Sequence, residues 1–92
     1  MKFMSTYAIR PGCYDEAITR FLAGGAVPPA GATLLGRWHK TDGSGGFSLY
    51  ESDDPKAMCE TAAVWADVLE LHSNVVVEDD DAGAIQARLR GE

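Results

Sequence analysis

The sequence predicts an α+β domain of the ferredoxin-like type, ordered β-α-β-β-α-β and followed by a short C-terminal helix. Three observations predict it. Apolar spacing switches between a strand period of two and a helical period near 3.6 in that order along the chain. Gly and Pro stand at the switches, where the backbone must turn. The clearest hairpin signal lies between the two helical stretches. In this motif both helices pack on one face of a four-stranded antiparallel sheet, in spatial order 4-1-3-2.

Residues 2–10, KFMSTYAIR, alternate: Phe3, Ser5, Tyr7 and Ile9 share one face, and Met4, Thr6 and Ala8 the other. Pro11-Gly12 then breaks the strand. Over residues 14–22 the period becomes helical through Tyr14, Ala17, Ile18, Phe21 and Leu22. Asp15 and Glu16 stand where the helix dipole favours acids, and Gly24-Gly25 ends the helix. The segment AVPPAGA is an extended connection, since its two prolines lack an N–H.

Residues 33–40 and 46–51 form the second and third strands. Asp54 caps a second helix and Pro55 suits its first position, with Met58, Ala62, Trp65 and Leu69 as the apolar stripe. Residues 69–77 are a fourth strand with a β-branched VVV run. Residues 78–90 read as a short helix, with acids first and Arg88 and Arg90 last.

The totals bound the function. At 92 residues the chain is one domain, residues 1–92, with a single core. A net charge of −6, from 14 acidic and 8 basic residues, argues against nucleic acid and against anionic membrane surfaces as partners. No apolar run is long enough to span a bilayer, and Arg10 precedes any signal-like h-region. A cytoplasmic location is therefore expected. Cys13 and Cys59 are expected to be reduced thiols rather than a disulfide framework.

A two-residue type I′ turn at Asp42-Gly43 sets the hairpin register. Trp38 then opposes Phe47, Gly36 opposes Leu49, Arg37 opposes Ser48, and Leu35 opposes Tyr50. One face is apolar (Leu34, Trp38, Phe47, Leu49) and the other mixed (Leu35, Arg37, His39, Ser48, Tyr50). The expectation is that Trp38 fills the core under the helices while His39 faces the uncovered side of the sheet. An uncovered face this apolar calls for a partner, and a second identical sheet is the simplest cover. That makes a homodimer enclosing a barrel-like space.

The segments IRPGCYDEAITRFL, LLGRWH, FSLYESDDPKAM and WADVLELHSNVVVEDD resemble the small bacterial family called domain of unknown function 3303. Its most specific parts are the Arg10–Gly12 junction between strand and helix and the YESDDP stretch before a helix ending WADVLE. The resemblance implies the dimeric α/β-barrel superfamily, and so the fold and the dimer. It implies no activity.

The run GSGGFSLY lacks the Lys-Ser of a phosphate loop and leads into a strand, so it reads as a hairpin turn. The candidate ligand-binding residues are Arg37, His39, Tyr50 and His72, with His39 as the candidate catalytic proton carrier. They suit an anionic or phenolic ligand; the competing reading is a polar dimer interface. No metal is expected. His39 and His72 lie on opposite sheet edges, roughly 14 Å apart, whereas zinc needs each nitrogen at about 2 Å. No cofactor is expected either. The EDDD run at residues 78–81 reads as helix capping, and Cys13 stands where a helix dipole could activate a thiol. The first functional reading is a homodimer that binds a small ligand between sheet and helices or in the barrel. The alternative is a small cofactor-independent monooxygenase- or isomerase-like enzyme.

Overall fold

The computed structural model of the protein describes residues 1–91. Seven elements follow in order: β1 (Lys2–Ile9), α1 (Tyr14–Leu22), β2 (Ala32–His39), β3 (Gly45–Ser52), α2 (Pro55–Trp65), β4 (Leu69–Val76) and α3 (Asp79–Leu89). The four strands form one antiparallel sheet in the order β2-β3-β1-β4, which is the expected order read from the other edge. The ferredoxin-like α+β architecture is therefore present.

The element ends follow from local chemistry. The Cys13 N–H donates to the Arg10 carbonyl at 3.0 Å, closing the Pro11-Gly12 turn that leads into α1. The Asp54 carboxylate accepts from the Lys56 N–H at 3.0 Å and caps α2, with Pro55 at its first position. Arg20 pairs with Glu16 on its own helix and with Asp67 after α2, and its guanidinium lies 5.7 Å over the Trp65 ring. These contacts tie the end of α2 to α1.

Two clusters make the core between helices and sheet. Phe3, Tyr50, Ala57 and Met58 form one, with Ala32 and Leu34 against it. Ala17, Trp65 and Val68 form the other, with Ile9, Leu69 and Leu71 against it. The helix α3 buries no residue, and Ile85 and Leu89 on it are exposed.

The hairpin differs from expectation in two ways. Its turn is not type I′, because that type needs a positive φ at Asp42, and only Gly43 (φ +76°) has one. Instead the Gly43 N–H donates to Lys40 O, and Ser44 donates twice to the Asp42 carboxylate. The strands still pair as expected at Gly36–Leu49, Arg37–Ser48 and Trp38–Phe47. Tyr50, however, opposes Leu34, because the ladder shifts between Leu34 and Gly36 and Leu35 is left over as a bulge.

Leu34 packs against the core as expected, but beyond the bulge the faces are the reverse of the expectation. Tyr50 and Ser48 are buried beneath the helices with Phe3 and Ser5, and Arg37 and His39 line the space there. Trp38 and Phe47 lie on the uncovered side, 57% and 41% exposed. The physical reason lies in β3. Its inward positions Gly46 and Ser48 are small, which leaves room under the helices for the longer Arg37, His39 and Tyr7 side chains of the flanking strands.

Candidate functional site

The inward face of the sheet is organised in rows, because antiparallel strands place partners side by side. One row runs Ser73, Ser5, Ser48, Arg37 across β4, β1, β3 and β2. The next runs Leu71, Tyr7, Gly46, His39. In the second row Gly46 contributes no side chain, so Tyr7 on β1 reaches across it to His39 on β2. The Tyr7 hydroxyl and His39 Nδ1 share a hydrogen bond, and the two rings meet edge-on with centroids 6.0 Å apart. When the hydroxyl donates, the imidazole is the neutral tautomer with its proton on Nε2.

In the first row Arg37 Nε donates to Ser48 Oγ at 3.2 Å. Its Nη2 donates to the Tyr50 hydroxyl and to the Ala26 carbonyl, each at 3.0 Å. Ser5 and Ser73 join their hydroxyls at 2.6 Å, which gives the buried Ser5 hydroxyl a partner.

From these rows Ser48, Arg37, Leu71, Tyr7 and His39 floor a cavity of about 280 Å³ between the sheet and the helices α1 and α2. Ile9, Ile18, Phe21, Trp65, Leu69 and Leu71 supply most of its apolar wall. Tyr14, Phe21 and His39 line it and are also exposed, so its mouth lies between α1 and the β2–β3 hairpin. The Phe21 and His39 rings stand 5.3 Å apart at this opening. Burial pushes the Tyr7 phenol above its ordinary value of 10.0, partly offset by the charge of Arg37. Tyr7 therefore stays protonated at neutral pH.

Arg37, His39 and Tyr50 thus come together, in the cavity under the helices rather than on the uncovered face. His72 does not join them. It opposes Thr6 on the other side of the sheet, is exposed, and lies 3.3 Å from Glu70. Strand alternation carries the signal for this, since Leu69 and Leu71 point inward and their neighbours Glu70 and His72 must point outward. Tyr7 and Ser48 complete the site, and neither stands among the ligand-binding candidates read from sequence. Tyr7 is placed by a β1–β3 register that no short-range pattern encodes.

Among the described residues no three His, Cys, Asp or Glu side chains converge to hold a metal ion. Cys13 and Cys59 are free thiols. Among the described residues no helix is long and apolar enough to cross a membrane. No curated protein and no solved structure matches the chain. The family described as Domain of unknown function (DUF3303) matches residues 1–90, nearly the whole length, and the chain belongs to that family.

Proposed function

We propose that the protein is a homodimer that binds a small, largely apolar molecule in the cavity between sheet and helices. The observation that carries the binding reading is one cavity with apolar walls and a polar floor of Arg37, Tyr50, Ser48, Tyr7 and His39. Small-molecule sites are built this way: apolar surface supplies affinity, and a few convergent polar groups fix orientation. Titration with octan-1-ol, followed by backbone amide NMR, tests it. Saturable shifts are expected at Ile9, Ile18 and Leu71, with Met4 and Leu49 on the uncovered face unmoved. Shifts at Met4 and Leu49 alone, or none, would remove the cavity as the site.

The dimer is supported by the uncovered sheet face, where Trp38 and Phe47 are joined by half-buried Met4 and Leu49. Apolar surface of this kind on a small domain marks an interface.

A second reading, a cofactor-independent isomerase-like enzyme, is favoured by the Tyr7–His39 pair at the cavity mouth. A phenol bonded to an imidazole can pass a proton to and from a bound molecule. Under this reading a bound carbonyl compound exchanges an α-proton for deuterium in heavy water, and His39→Gln stops the exchange without expelling the ligand. Exchange that continues unchanged in the variant would exclude His39 as the proton carrier.

A further inference from the structure

We infer that the molecule held in this cavity is a monocarboxylate with a short apolar tail, and that Arg37 binds its carboxylate. This rests on the reading of the cavity as a binding site and specifies what the site selects.

Arg37 is the one cavity-lining side chain with a fixed charge among the described residues. A guanidinium does not lose its proton in a protein. A charge held in apolar surroundings is costly unless an opposite charge meets it. Yet the three acceptors that Arg37 contacts are all neutral: Ser48 Oγ, the Tyr50 hydroxyl and the Ala26 carbonyl. Among the described residues no Asp or Glu lines the cavity, although the chain carries 14 of them. Arg20 is paired with Asp67, and Lys2 with Glu78. Arg37 differs from the exposed Arg10 and Lys40 in lining this cavity while only partly exposed.

The hydrogen-bond inventory points the same way. Arg37 Nη1 donates to nothing among the described residues. The Tyr50 and Ser48 hydroxyls accept from Arg37, and among the described residues no acceptor takes their own protons. Three donors thus border the cavity without an acceptor. A carboxylate supplies acceptor oxygens and one negative charge, and its plane suits the guanidinium fork. A doubly charged phosphate would exceed the single fixed positive charge.

Size limits the tail. With about 30 Å³ per water-sized group, the cavity holds roughly ten non-hydrogen atoms. Octanoate is of that size, and octan-1-ol is its neutral counterpart. Calorimetric titration of the intact protein at pH 7 with both compounds tests the inference. Octanoate is expected to bind about tenfold to a hundredfold more tightly, the range of a hydrogen-bonded charge pair. Arg37→Met is expected to erase that preference, bringing the two affinities within about twofold of each other.

Equal affinity of the wild-type protein for the two compounds would overturn the carboxylate while leaving the cavity reading intact. Failure of both to bind would overturn the cavity reading itself. The wild-type comparison decides the matter even where Arg37→Met does not fold.

Discussion

Gly46→Ala is expected to destabilise the fold by about 2–3 kcal/mol and to part Tyr7 from His39. A Cβ on Gly46 would stand 2.2 Å from the Trp38 carbonyl oxygen and 2.6 Å from the Tyr7 hydroxyl. The first of these atoms is backbone in the neighbouring strand and cannot swing aside. The second belongs to the side chain that crosses Gly46 to reach His39. Backbone conformation does not enter, because the φ of Gly46 is not positive. Urea unfolding measures the loss. For a domain of this size the same change lowers Tm by roughly 10–20 °C. Gly83→Ala on α3 is the control, since a Cβ there meets nothing within 4 Å. An unchanged midpoint for Gly46→Ala would mean that the row across the sheet is looser than described.

Trp38→Glu is expected to convert a dimer to a monomer without unfolding the chain. Trp38 is 57% exposed, so the substitution costs little inside one chain. Its indole lies along Gly36, with ring atoms 2.5–3.1 Å from where a Cβ on Gly36 would stand. This keeps the face low enough for a second sheet to approach. A tryptophan buried in an interface commonly contributes 2 kcal/mol or more, so the dissociation constant should rise about thirtyfold or beyond. Under a two-fold axis the substitution also enters the interface twice, placing two carboxylates in apolar surroundings. Sedimentation velocity at micromolar concentration should show the wild-type protein at twice the 9.8 kDa chain mass and the variant at the single-chain mass. A wild-type monomer would refute the dimer. A variant that stays dimeric would move the interface to another surface.

Much of the fold is legible from short-range pattern. The helical period over residues 14–22 coincides with α1, and the Asp54-Pro55 pair marks the start of α2. Both depend on neighbours within a turn or two, which is the range that sequence pattern encodes. Alternation also groups Arg37, His39, Ser48 and Tyr50 correctly on one face. It does not say which face the helices cover. Hydrophobicity assigns Trp38, Phe47 and Leu49 inward, and that rule fails where apolar residues stand on both faces.

The tie-breaker is long-range. Phe3 opposes Tyr50, and both pack against Met58 of α2. Tyr7 is hidden for the same reason, since its partner Gly46 lies 39 residues further along the chain.

The bulge in β2 has a further consequence. The strand is eight residues long but supplies only seven partners to β3, with Leu35 spare. Leu34 and Gly36 already oppose the consecutive residues Tyr50 and Leu49. A chain one residue shorter at this point would present the same seven rungs, with Leu34 and Arg37 still inward and Trp38 still outward. Inserting or losing that residue changes strand length without re-aiming a side chain. The strand therefore has a slack link at Leu35, between the part that packs the core and the part that carries Arg37 and His39.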